Sequence, residues 1–172
     1  AALMQVPVKF IWTHDAFRVG EDGPTHEPVE QEAQIRLMEK LKNHAGKDSV
    51  RVFRPADADE TTVCWKLAME NVETPTALIF SRQGIAKLPE GTDYEQAAKG
   101  AYIVAGSDEN PDVILVASGS EVSTLEAGCE ALRADGIKVR VVSAPSEGLF
   151  RGQSKEYQES VLPKNAKIFG MT

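Results

Sequence analysis

Residues 13–28 read THDAFRVGEDGPTHEP and carry two imidazoles, His14 and His26, with the carboxylate of Asp22 between them. An imidazole gains or loses a proton near neutral pH, and a carboxylate offers acceptors only. Further on, Arg82 stands in Ser81-Arg82-Gln83, directly after an apolar run. A guanidinium grips a phosphate through paired N–H groups. Two histidines, one acid and one arginine can therefore bind a phosphate and hydrogen-bond the hydroxyls next to it. By residue type alone the loop stays open between a solvated surface turn and half of a site. Arg82 stays open in the same way between a surface charge and an anion contact.

Whether these groups can meet depends on the elements around them. VKFIWT (8–13), SVRVF (49–53) and TALIFS (76–81) are short runs rich in β-forming residues. Between the first two, EPVEQEAQIRLMEKLKNHA (27–45) repeats apolar residues at Val29, Ala33, Leu37 and Leu41, which predicts a helix entered at Pro28. His44 falls inside it and reads as solvated. Asp57 with Glu60 fits a capping box ahead of the helix-like TTVCWKLAMENV (61–72), with Arg54 either paired to Asp57 or exposed. The first half is thus β-loop-α-β-α-β, a pattern that makes a parallel sheet with right-handed crossovers. Ligands sit beyond the carboxyl ends of such strands. His14, Asp22, His26 and Arg82 then share one edge.

Residues 83–100 break the rhythm with Gly, Pro and charges and predict a linker. AYIVAG (101–106), DVILVAS (112–118), KVRVVSA (138–144) and AKIFGM (166–171) read as strands. EVSTLEAGCEALRADG (121–136) and SKEYQESVLP (154–163) read as helices. Ser120 is the expected cap of the former, and Ser118-Gly119-Ser120 is either that cap or an anion-holding turn. The expected fold class is α/β: parallel-sheet, three-layer α/β/α, in two incomplete domains, 1–92 and 93–172.

The chain has 172 residues, 19 basic and 26 acidic, for a net charge of -7. Its basic residues are scattered, which argues against nucleic acid or an anionic membrane as partner. The longest apolar runs fall far short of the ~20 residues of a membrane span. Cys64 and Cys129 have no Cys or His at metal spacing and read as core residues in a reducing, cytoplasmic setting. The chain begins AALMQVP without an initiator Met and stops on an apolar strand-like run, so we expect a fragment.

The loop resembles transketolase. Thr13-His14-Asp15 followed by Gly20-Glu21-Asp22-Gly23-Pro24-Thr25-His26 matches the family's most specific segment. In the same order come Arg54-Pro55-Ala56-Asp57, Ser81-Arg82-Gln83, Lys99-Gly100-Ala101-Tyr102, Ser118-Gly119-Ser120-Glu121, and Ser160-Val161-Leu162-Pro163. The resemblance implies a transferase of the pentose phosphate pathway. It would move a two-carbon ketol unit from a ketose phosphate to an aldose phosphate, with thiamine diphosphate and Mg²⁺ or Ca²⁺, in a homodimer. Residues 1–92 are similar to the later part of the pyrimidine-binding middle domain, and 93–172 to the start of the C-terminal domain. The implied substrate contacts are His14 and Arg82 on the phosphate, Asp22 on a hydroxyl, and His26 at the reacting end, with Asp22 and His26 counted as catalytic. No cofactor or metal residue is expected in this chain, and the chain alone is expected to be inactive. Ala16-Phe17-Arg18-Val19 departs from the family's pattern, which puts the effect of Arg18 on substrate size or approach in question. The neighbouring readings are dihydroxyacetone synthase, 1-deoxyxylulose-phosphate synthase, or a stand-alone sugar-phosphate-binding module.

Overall fold

The computed structural model describes residues 1–15, 19, 30–106 and 110–171. Two sheets are built in sequence. The first holds β1 (Lys9–Trp12), β2 (Arg51–Phe53) and β3 (Thr76–Ile79) in the order β1-β3-β2. Both pairings are parallel, with Trp12 opposite Ile79 and Phe53 opposite Leu78. Every residue of β3 is buried, as a central strand between two parallel neighbours requires. The helix α1 (Gln31–Met38) and the helix α2 (Ala58–Glu70) connect these strands. One sheet face packs Val50, Val52, Ala77 and Ile79 against Ile35 of α1. The other packs Phe53 and Leu78 against Cys64 and Ala68 of α2. This is the expected three-layer arrangement.

The second sheet runs β4-β6-β5-β7, from β4 (Tyr102–Ala105), β5 (Val113–Ala117), β6 (Val139–Ser143) and β7 (Lys167–Met171). The last three are mutually parallel, while β4 runs antiparallel to β6. That corrects an all-parallel reading. A parallel crossover needs a dozen or more residues, and only 106–112 separate β4 from β5. Reversing β4 lets its end fall near the start of β5. Helices α3 (Glu121–Ala134), α4 (Glu147–Arg151) and α5 (Lys155–Val161) complete this half. The short α4 and a 3-10 helix at Tyr94–Lys99 lack any apolar period long enough to announce them. Gly100 follows that turn at φ +89, where an added Cβ would sit 2.3 Å from the Phe150 nitrogen and the Ser146 oxygen, so only glycine fits.

The helix expected over 27–45 is the main correction in the described part. Among the described residues of that range only Gln31–Met38 is helical, and His44 lies in the exposed turn beyond it. Its apolar stripe points outward: Leu37 is 58% and Leu41 60% exposed. Arg36 and Glu39 point inward instead. Arg36 donates to Glu32 at 2.8 Å and to the Ser118 hydroxyl at 3.3 Å, and Glu39 accepts the Val52 N–H at 2.8 Å. The polar face thus has partners waiting on the second half of the chain, which periodicity cannot reveal.

Helix α2 lies between the two sheets. Its Cys64 and Ala68 join the first core, while Val63 joins the core of β4, β5, β6 and α3. Both cysteines are buried, as expected. Asp57 does cap this helix, accepting the Glu60 N–H at 2.9 Å. Its other oxygen accepts from Leu88 N–H and Tyr94 O–H, so the same carboxylate also pins the linker. Glu60 does not complete the box. Its side chain accepts from the Ala56 N–H at 2.5 Å and from the hydroxyls of Tyr102 and Ser143 at 2.8 and 2.7 Å.

Candidate functional site

The carboxyl ends of β1 and β3 lie side by side, and the ladder continues one step beyond them where Phe80 N–H donates to Trp12 C=O at 2.7 Å. The next residues form the site's floor. Asp15 is buried, and its Oδ2 accepts from the Ser81 hydroxyl at 2.6 Å. This bond joins the residue after His14 to the residue before Arg82. His14 and Arg82 flank it, both exposed. Thr13 Oγ1 lies 3.0 Å from His14 Nδ1. A hydroxyl that donates there keeps the proton of a neutral ring on Nε2.

Two of the four expected site residues, His14 and Arg82, therefore fall on one edge. Asp22 and His26 lie outside the described residues, as does Arg18. Nothing in the described part places them.

Beneath this edge is a group of charges. Arg54, which follows β2 directly, is neither exposed nor paired to Asp57; its exposure is 1%. Its Nη2 donates to Asp15 Oδ2 at 2.7 Å and to a Glu121 carboxylate oxygen at 2.8 Å. Its Nη1 donates to the Ser118 carbonyl at 2.9 Å and the Ser118 hydroxyl at 3.2 Å. Glu32 stands 3.4 Å from its Nε. Burial works against the guanidinium's charge, and Glu32, Glu121 and Asp15 more than offset it, so its pKa is raised. Burial raises the Glu121 pKa, opposed chiefly by Arg54.

The Ser118-Gly119-Ser120 turn is thereby accounted for. It serves Arg54: Gly119 N–H donates to the Arg54 carbonyl at 3.0 Å. Ser120 precedes α3 but makes no side-chain cap; its hydroxyl donates to Glu121 at 2.9 Å. Gly119 has φ +62, and a Cβ there would stand 2.7 Å from the Arg54 guanidinium carbon. The guanidinium face packs where a side chain would otherwise be.

Reasoning from sequence overlooked Asp15, Ser81, Arg54 and Glu121 as members of one group. Each is polar and adjoins a strand end or helix start, but their pairings span 39 to 67 positions. Among the described residues no set of three His, Cys, Asp or Glu side chains could hold a metal ion. No helix among them is long and apolar enough to cross a membrane.

Residues 1–87 match a family model described as the transketolase pyrimidine-binding domain. Residues 100–172 match the transketolase-like C-terminal domain. The chain is 48% identical over 167 residues to a transketolase of Halalkalibacterium halodurans, covering 96% of this chain and 24% of that protein. A transketolase mutant from Pichia stipitis superposes with a TM-score of 0.85 at 40% identity, covering 98% of this chain and 23% of the other. A transketolase from the same organism, in complex with sedoheptulose 7-phosphate, superposes at 0.82 with 38% identity over the same shares. The chain thus spans about a quarter of the length of these proteins.

Proposed function

The chain belongs to the transketolase family, and we propose that it carries the sugar-phosphate-facing edge of a ketol transferase. The full-length enzyme would pass a two-carbon ketol unit from a ketose phosphate to an aldose phosphate, within the pentose phosphate pathway. The family depends on thiamine diphosphate. The roles proposed for this chain are all toward the sugar. Mg²⁺ or Ca²⁺, the homodimer and a cytoplasmic location belong to the same proposal, as does the division at 92/93.

The observation that carries the reading is the Asp15–Ser81 hydrogen bond, which sets His14 and Arg82 on either side of one strand-end junction. Arg82 supplies fixed charge and two parallel N–H donors to a phosphate. His14 donates a ring N–H to a phosphate oxygen. Asp22 accepts from a hydroxyl near the reacting carbon; a sugar of the wrong configuration leaves that carboxylate unpaired, which disfavours it. His26 meets the oxygen at the transferred unit and holds or moves a proton there.

The test is to supply the full-length enzyme with xylulose 5-phosphate and ribose 5-phosphate and measure sedoheptulose 7-phosphate. We expect turnover by the full-length enzyme and none by residues 1–172 alone with added thiamine diphosphate and Mg²⁺. Turnover restricted to formaldehyde as acceptor, or to pyruvate as donor, would overturn the reading.

A further inference from the structure

We propose that Arg54 and Glu121 are positioning residues for the phosphate-binding pair, so that the second half of the chain sets the geometry of the substrate edge carried by the first. The inference rests on the proposed role of His14 and Arg82. Arg54 is the bridge. On one side Glu121 and both oxygens of Ser118 hold its guanidinium. On the other side its Nη2 holds Asp15.

Asp15 gives both of these bonds to one oxygen. Oδ2 accepts from Arg54 and from Ser81, whereas Oδ1 is buried with no hydrogen-bond partner. Moving Arg54 therefore moves the single atom that ties the residue after His14 to the residue before Arg82. The cluster is rigid for a physical reason. Arg54, Asp15 and Glu121 have side-chain exposures of 1%, 0% and 0%, and no water competes for their charges. A guanidinium has fixed donor directions, so its acceptors cannot shift independently. Gly119 closes the fourth side by packing against the guanidinium face. A phosphate held by two side chains is sensitive to their spacing, because binding energy depends on both contacts forming together.

The test uses the full-length enzyme with Asp15→Asn and Glu121→Gln. Asp15→Asn keeps shape and the accepting oxygen, since its amide nitrogen can take the Oδ1 position, which lacks a hydrogen-bond partner; Glu121→Gln keeps shape but sets an amide NH₂ against Arg54 Nη2, because both carboxylate oxygens lie 2.8 Å from that donor. Each should raise the Michaelis constant for xylulose 5-phosphate by roughly tenfold while leaving that for dephosphorylated xylulose within about twofold. Ser81→Ala, at a half-buried site, removes only the hydroxyl tie and should act in the same direction; Ser81→Thr, which restores a hydroxyl, should reverse it. Should the Asp15 or Glu121 variant not fold, Ser118→Ala, which removes the second-half hydroxyl held by Arg54, is read beside the serine pair and should shift the donor ratio in the same direction. Equal changes for both donors, or a lowered melting temperature with an unchanged donor ratio, would overturn the inference. Arg82→Ala run in parallel separates the two levels. If it weakens phosphorylated donors selectively and the other variants do not, the positioning role fails alone; if it shows no selectivity, the phosphate reading fails and the positioning role with it.

Discussion

Glu60 shows what a single residue in this chain bears. It is fully buried and accepts three hydrogen bonds, two of them from Tyr102 and Ser143 in the second sheet. Burial, only partly offset by these donors, pushes its pKa up to about 7. The folded state therefore binds a proton more tightly than the unfolded chain, whose carboxyl stays near its usual value of about 4.5. Stability from this group is gained as pH falls from about 7 toward 4.5, and is absent above 7. Urea unfolding at several pH values should show wild-type protein gaining on Glu60→Gln as the solution is acidified. A constant difference across that range would contradict it. At neutral pH the glutamine variant should be less stable by about 1–3 kcal/mol, because an amide oxygen accepts more weakly than a carboxylate and the Tyr102 and Ser143 hydroxyls must turn to accept from its NH₂. Single residues were legible in sequence where their chemistry is local: Asp57 as a cap, the buried cysteines, His14 and Arg82 beyond strand ends. Arg54 and Glu60 were not, because their partners come from segments remote in sequence. Polar type alone does not distinguish a buried partner from a solvated one.

At the scale of elements, strands were legible nearly throughout, since short β-branched runs bounded by loops have few alternatives. Direction was legible only where a helix intervenes, hence the surprise at β4. Helix α1 marks the other limit. Its period-four apolar pattern is real, but Arg36 and Glu39 turn inward to meet Ser118 and Val52. Two opposed outcomes follow. Leu37→Gln with Leu41→Gln should change stability by less than about 0.5 kcal/mol per site, as for other exposed positions. Arg36→Ala should cost about 1–3 kcal/mol, because it removes the hydrogen bonds to Glu32 and to the Ser118 hydroxyl. Denaturant midpoints of the two variants measure this. A larger loss from the leucine pair would mean that the apolar stripe is buried after all.

For the whole molecule, the two halves are joined through charge and through a shared helix. Arg54 reaches Glu121, Glu60 reaches Tyr102 and Ser143, and α2 contributes to both cores. The family was legible from the ordered motifs, above all Gly20-Glu21-Asp22-Gly23-Pro24-Thr25-His26. The coupling between halves was not, since each half reads separately as an ordinary α/β segment. The central claim is that the β1–β3 edge binds the phosphate of a sugar through His14 and Arg82. The most direct measurement is the Michaelis constant of the full-length Arg82→Ala enzyme for xylulose 5-phosphate and for xylulose. A lost charge-assisted contact is worth about 1.5–3 kcal/mol, so the phosphorylated donor should weaken about tenfold or more while the unphosphorylated donor is unchanged. Equal weakening of both would remove Arg82 from the phosphate and contradict the account.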